Sequence, residues 1–505
     1  MSIPRTGGPR SGRMVDGLLQ LTAASVAVLW VLRALLRVDQ SWDTWMYHLP
    51  FAARLWGIVP AEAYLLPGYL EDRYQGVPLL GEWIQGLLWW LTGRPEAASV
   101  PALASLFLFL WFLRRFLQVP AYLSLVGLAA IPLAHIHATS AYVDLPSNLA
   151  FSVVVLMTYR LYLRPASPTR GQLLLMALSA ALAANIKFQL VPLLPVVLGF
   201  VAARLLWLAR GRVGETLSAA GGTARVTAVT VLALAVIFAV PLKNLLLHGN
   251  PVYPIEMHVL GITLPGPEAL PSAKEMPSLH FVPTYLEEAP GPQRWLYSLL
   301  EVGVRPLSDP ERWTVDQFMP HGSTGTMMGG YSVGYVLFNL LLLTYLVWRL
   351  RSPEAWGAAV VMLVASPVVA FMPQSHELRY TLFWMVVLVS LNLHLVEQLE
   401  AAGTARLVSR RTVGLGMLAA LALTIAATRG QYLDPSPYPV SRLVDVKVDK
   451  TIMAKVGEGD RVCFSHEPWT FLYTSHFHPP LRYSLKERDC SGGYRSLGMA
   501  KFGPN

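Results

Sequence analysis

Apolar runs of helical-span length recur along almost the whole chain. They lie near residues 18–36, 99–117, 120–138, 145–163, 172–186, 190–208 and 226–245, and again near 332–350, 355–372, 380–398 and 412–428. A helix needs roughly 20 mostly apolar residues to cross a bilayer. The pattern therefore predicts an all-α polytopic membrane bundle of about eleven transmembrane helices. The first run is too long for the apolar core of a signal peptide and no small-residue cleavage site follows it, so it is read as an uncleaved first span.

Residues 79–92 (LLGEWIQGLLWWLT) are apolar but short, and they carry Glu82 and Gln85. They fit an interfacial or re-entrant helix with Trp83, Trp89 and Trp90 at headgroup level. Arginine tests this assignment. With the N-terminus cytoplasmic, alternate loops should be cytoplasmic and positively charged. They hold Arg114 and Arg115; Arg160, Arg164 and Arg170; Arg204, Arg210, Arg212 and Arg225; Arg349 and Arg351; and Arg406, Arg410 and Arg411. Arg5, Arg10 and Arg13 precede the first span, and every lysine falls in an external segment or at an external helix end. Counting 79–92 as a span would put these arginines outside.

The topology leaves three external regions: a loop from 38 to 100, a proline-rich loop from 246 to 331, and a polar tail from 429 to 505. Residues 1–428 with the two loops form the membrane domain. The tail alternates like strands in DRVCFSHEPWTFLYTS and LRYSLKE, which predicts a small external α/β or β-rich domain. Both cysteines, Cys463 and Cys490, lie in it and are expected to pair in an oxidising bacterial periplasm. No internal repeat or low-complexity tract is visible.

Composition agrees. Of 505 residues, 54% are hydrophobic and 14% charged, against about 25% charged in soluble domains. The net charge of +9 does not indicate nucleic acid, because the cations recur between apolar stretches instead of clustering on one soluble face.

Charged groups at membrane depth are functional candidates by default. The first external loop opens with SWDTWMYHLPFAARLWG, where Asp43, Tyr47 and His48 follow the first span and Asp43 and Tyr47 share a helical face. A partly desolvated Asp43 suits a general base; equally, it is placed to cap a helix. Glu82 sits in an otherwise apolar segment, whereas Glu71 and Asp72 in EDRY fit a salt-bridged loop. Asp144, in AYVDLPSN, is either a site carboxylate or the cap of the following helix. Lys187, Lys243 and Arg379, the last in SHELRY with His376, Glu377 and Tyr380, could meet a lipid phosphate. For the lysines the alternative is snorkelling to headgroups, while the guanidinium fork of Arg379 suits phosphate. Arg33 and Arg37 at the outer end of the first span share that ambiguity. His466, His476 and His478 complete no zinc-ligand spacing and read as surface histidines, and no phosphate loop, nucleophile elbow or HExxH is present.

Asp43 in the setting D-x-x-x-Y-H-x-P, Glu82 on a membrane-lying helix, Asp144, Lys187, GNPVYP at 249–254 and the pair Arg379–Tyr380 occur in an order that resembles the GT-C superfamily of membrane glycosyltransferases. The likeness is to the type represented by protein O-mannosyltransferases and the aminoarabinose transferase, and it covers roughly residues 15–400. It implies transfer of a sugar from a polyprenyl-phosphate carrier to a lipid, glycan or protein acceptor on the external face. Carried across, Asp43 would be the catalytic carboxylate, with Asp144 and Glu82 secondary. Tyr47, His48 and Tyr380 would contact substrate, and Lys187, Lys243 or Arg379 would meet the carrier phosphate. Thr44 stands where many members carry a second acid. Some members use a divalent metal and others none, and the resemblance leaves both open. The tail beyond 430 has no counterpart in the resemblance. The rival class is a transporter or lipid flippase, which would favour polar groups at mid-bilayer and repeat symmetry.

Overall fold

A computed structural model describes residues 10–210, 223–259, 261–269, 282–318, 326–403, 408–488 and 490–499. Arg5, Arg212 and Arg406 fall outside these residues. Helices occupy all the apolar runs. Among the described residues seven are long and apolar enough to cross a membrane: Gly12–Leu36, Pro95–Leu117, Phe188–Leu208, Val333–Leu350, Pro353–Ala370, Phe383–Ala401 and Arg410–Ala427. The run expected as one span at 226–245 is bent by 75° between Thr227–Ile237 and Ala239–His248 and counts as an eighth if taken as one. Pro241 lies just past this bend, and a proline ring clashes with the carbonyl four residues back. The run at 120–138 is likewise divided, into Ala121–Ala129 and Pro132–His137, with Pro132 opening the second piece. Asp144–Leu163 and Arg170–Ile186 complete the bundle.

The helix Phe383–Ala401 is the axis, with 78% of its apolar window buried. A helix apolar all round belongs at the centre. Asn392 on it donates to the backbone and side-chain oxygens of Asn339 at 2.8 and 3.0 Å, a polar tie between two packed helices. Outer helices show the converse pattern. Leu21, Leu174, Leu206, Leu341 and Leu363 are exposed, as expected of side chains facing lipid.

The segment 79–92 forms a helix, Leu80–Thr92, of 13 residues, about 20 Å long and short for a span. Gly81 and Gly86 let it lie close: a Cβ on Gly81 would stand 2.5 Å from Val143 Cγ1, and one on Gly86 2.6 Å from the Ala52 carbonyl. Trp83 and Trp90 are exposed, as an interfacial helix requires. Trp89 is not at the surface. It is buried against His476 and Phe477 of the tail, ring centroids 5.8 and 6.5 Å away.

That contact shows how the tail is built. Its strands Arg461–Ser465, Ser484–Glu487 and Arg495–Met499 form a parallel sheet whose fourth strand, Tyr64–Leu65, comes from the first loop. One apolar core holds Trp45, Leu49 and Tyr64 of that loop together with Leu443, Phe464, Phe471 and Leu485 of the tail. The two segments fold as one layer over the bundle. In the second loop, Ile255–Val259 pairs with Ile262–Leu264 and Glu268–Ala269, and the helix Gly291–Leu299 follows.

A disulfide joins Cys463 and Cys490 across 27 residues. Closing a loop of that length restricts the unfolded chain, so the Cys463→Ser/Cys490→Ser variant is expected to lose about 3.5 kcal/mol of stability. Thermal unfolding of the two proteins would measure it; coincident curves would show that the bridge constrains little.

Glu487 ties tail to loop. Its carboxyl accepts from Tyr64 Oη at 2.6 Å and Thr470 Oγ1 at 3.1 Å. Burial pushes its pKa up to about 7, and the nearby Glu467 adds to the shift. A carboxyl whose folded value is raised binds its proton more tightly in the folded state. Its contribution is therefore complete below the unfolded value near 4.3 and is lost as pH rises through about 7. The slope is at most roughly 1.4 kcal/mol per pH unit in that window. Melting temperatures at pH 5 and pH 8 should fall more in wild type than in Glu487→Gln; equal slopes would remove Glu487 as the cause.

Candidate functional site

The chain leaves the first helix at Leu36 and pairs briefly with the tail, Val38 N–H to the Tyr438 carbonyl at 2.9 Å and Tyr438 N–H to the Leu36 carbonyl at 3.0 Å. Asp39 then fixes the turn that carries Asp43. Its carboxylate accepts from Thr44 Oγ1 at 2.6 Å and from the Ala141 N–H at 2.8 Å, and its carbonyl accepts from Trp45 Nε1 at 2.7 Å. Trp45, fully buried, anchors the segment against Trp469, Phe471 and Phe477. Between these fixed points Thr44–His48 forms a π-helical turn, a distortion that frequently marks functional positions.

Asp43 is buried at 6% exposure, and its side chain makes no helix-capping bond. Its Oδ2 instead accepts from Arg379 Nη1 at 2.9 Å. The rest of the guanidinium is used as fully: Nε donates to Glu377 Oε2 at 3.2 Å and Nη2 to Tyr380 Oη at 3.0 Å. Its flat face lies over Tyr142 and Tyr380, 5.8 and 4.9 Å from the ring centres. Arg379 sits in the short turn Leu378–Thr381 before the axial helix. Asn148 holds that turn, donating to the Arg379 carbonyl at 3.2 Å and accepting from the Phe383 N–H at 2.9 Å.

Asn148 also donates to the Asp144 carbonyl at 2.8 Å, which brings the second carboxylate to the same place. Asp144 opens its helix without capping it. Its Oδ1 forms an ion pair with Lys187 Nζ at 3.2 Å, and the ammonium lies 5.1 Å from the centre of the Tyr380 ring. Arg379 is close enough to feel the charge of both Asp43 and Asp144. His48 completes the group from below Tyr142: its Nδ1 contacts Glu82 Oε1 at 2.7 Å, and its ring meets Tyr142 edge-on at 5.7 Å. Tyr47 packs beside His48, ring centres 4.3 Å apart and planes tilted by 50°.

The structure therefore assembles Asp43, Tyr47, His48, Glu82, Asp144, Lys187, Arg379 and Tyr380 at one end of the bundle. No described interaction joins Lys243 to them; its ammonium donates to the Gln75 carbonyl. Other candidates resolve into structural roles. Glu71 pairs with Arg54, and Asp72 accepts from Tyr253 Oη at 2.8 Å. Arg37 pairs with Asp434 at 2.6 Å, and Arg33 donates to Thr139 and to the Gln431 carbonyl, so both bind the first helix to its surroundings. His478 contacts the Leu472 carbonyl and His466 contacts Tyr473 Oη. Sequence reasoning missed Asp39, Tyr142 and Asn148. The last two flank Asp144 in AYVDLPSN, and an asparagine four residues after an acid at the start of an apolar run is the signal that could have found one of them.

Burying charges is stabilising only when each finds a partner. Here Arg379 serves Asp43 and Glu377, and Lys187 serves Asp144. Burial raises the pKa values of Glu377 and Tyr47. Asp144 Oδ2, His48 Nε2 and Glu82 Oε2 are buried without hydrogen-bond partners. Buried polar atoms are normally satisfied, so three such atoms in one cluster mark groups available to a ligand. Two adjacent cations suit a phosphate, and Asp43 and Asp144 suit proton acceptance or stabilisation of positive charge. A divalent metal does not fit these residues. Among the described residues no three of His, Cys, Asp and Glu gather as ligands, and Asp43 and Asp144 already face cations of the chain.

No protein-family model matches this chain, and no curated protein does. Among solved structures it is similar to ArnT from Cupriavidus metallidurans. With the apo form the TM-score is 0.51 at 12% identity, covering 94% of this chain and 86% of that one. With the form bound to undecaprenyl phosphate it is 0.47 at 13% identity, covering 95% and 86%. At such identity the likeness to the apo form is one of architecture: this chain has the fold of ArnT.

Proposed function

We propose that this chain is a membrane glycosyltransferase that moves a sugar from a polyprenyl-phosphate carrier to an acceptor at the external face of a bacterial inner membrane. The observation that carries the reading is the buried Asp43–Arg379 pair beside Asp144–Lys187, on an ArnT-like fold. The arginine distribution in the loops supports a cytoplasmic N-terminus and an external site.

In this reading the donor phosphate takes over the hydrogen bond that Arg379 now gives to Asp43 and the ion pair that Lys187 makes with Asp144. Asp43, released from Arg379, accepts the proton of the acceptor hydroxyl or amine as that group bonds to the anomeric carbon. The bond from that carbon to the phosphate oxygen breaks, and the negative charge gathering on the leaving phosphate falls on Arg379 and Lys187. Asp144 offsets positive charge developing on the sugar ring. Glu82 acts through His48, fixing the orientation of its ring, and Tyr47 and Tyr380 wall the sugar site. Lys243 has no part in the step.

The test is mass spectrometry of envelope lipids, glycans and glycoproteins from cells with and without the gene. Loss of one sugar from one class of acceptor is expected. An unchanged envelope in cells that otherwise make the protein would reject the reading.

A further inference from the structure

A charged cavity lies at the end of the bundle opposite the Asp43 cluster. It measures about 780 Å³ and is lined by Arg115, Arg160 and Arg164 together with Trp111, Leu174 and Leu178. Arg115 and Arg164 stand at the ends of the helices that begin beside Asp43's layer, at Pro95 and at Asp144, so the cavity is separate from the site above. It does not depend on the glycosyltransferase reading.

Three features point to an anionic occupant. Arg115 and Arg160 lie against the same phenyl ring, each guanidinium carbon 5.6 Å from the centre of Phe116, so two cations are held side by side by packing. Neither they nor Arg164 has a carboxylate within ion-pair distance among the described residues, while Arg410 and Arg411 at the same end are paired with Glu397 and Asp16. Glu354 is the acid of the cavity wall and forms no ion pair with them, so the lining remains positive. Arg115 also sits in a π-helical turn, Leu113–Leu117, that ends at Gln118 with φ 60°, an uncommon conformation for that residue.

The apolar wall decides what kind of anion. Trp111, Leu174 and Leu178 are exposed on the outer surface of helices that face lipid, directly beside the arginines. A free phosphate would leave that wall unused. We propose that this cavity binds a membrane lipid with an anionic phosphate headgroup, the phosphate on Arg115, Arg160 and Arg164 and an acyl chain along Trp111, Leu174 and Leu178. The occupant comes from the leaflet opposite the Asp43 end.

The full-length protein, delipidated in detergent, would be titrated with phosphatidylglycerol or phosphatidylcholine and the bound lipid counted by native mass spectrometry. Phosphatidylglycerol should be retained in preference. Each arginine near an anionic lipid contributes about fivefold, so Arg115→Gln/Arg160→Gln/Arg164→Gln should weaken retention on the order of a hundredfold. Arg349→Gln, an exposed arginine at the same end but outside the cavity, should change nothing. If the triple variant does not fold, Arg164→Gln alone, at an exposed position, should show its fivefold loss. Equal retention of the two lipids, or undiminished retention by the variants, would overturn the proposal. Displacement of the lipid by millimolar inorganic phosphate would overturn it too, by showing a simple anion site.

Discussion

Asp43→Asn should insert, fold and bind donor, yet transfer sugar about a thousandfold more slowly, the range expected when a positioned base is lost. The amide keeps the volume of the carboxyl and leaves Arg379 with Glu377 and Tyr380, so the guanidinium is not stranded. It also removes the carboxylate that competes with donor phosphate for Arg379. The expected signature is a collapse of kcat with a donor KM that holds or falls. Parallel losses in both would point to a distorted site, and full activity would end the assignment of Asp43 as the base.

Arg379→Met carries the largest expected loss of stability. It strands Asp43 and Glu377 in a buried setting, and breaking a buried pair from one side costs about 3–5 kcal/mol. The stranded Glu377, whose pKa burial already raises, answers by taking up a proton, which lifts its folded value further above the unfolded one. Stability of this variant should therefore be better at pH 5 than at pH 8, because a raised carboxyl contributes below its unfolded value and loses that contribution as pH rises. Arg379→Lys separates charge from geometry. A lysine cannot reach Asp43, Glu377 and Tyr380 at once as the planar fork does, so it should fold while donor KM rises. Denaturant unfolding gives the first quantity and steady-state kinetics the second; a Met variant as stable as wild type would show that the network contributes no net stability.

The acids and bases of the site were legible because the membrane makes polarity conspicuous. Asp43, Glu82, Asp144 and Arg379 stand out in apolar surroundings, and arginine-rich loops place them on one side. What each of them touches was not legible. Capping and catalysis were equal readings of Asp43 until its carboxylate was found on Arg379, 336 residues away in sequence. Lys187 and Lys243 looked alike, and only packing put one beside Asp144 and the other on a carbonyl of residue 75. Trp89 read as an interfacial residue because its neighbours are; the tail that buries it begins more than three hundred residues later.

By itself the sequence determined that the chain lives in a bilayer, where its apolar runs lie, that residues 79–92 are too short and too polar to span, and which ionisable groups need explaining. These are local properties, set by the transfer free energy of each segment. Tertiary structure alone decided that Tyr64–Leu65 completes the sheet of the tail, and that Arg379 binds Asp43 within reach of the charge on Asp144. Such outcomes depend on contacts between distant segments, and a buried charge has no meaning until the partner that neutralises it is known.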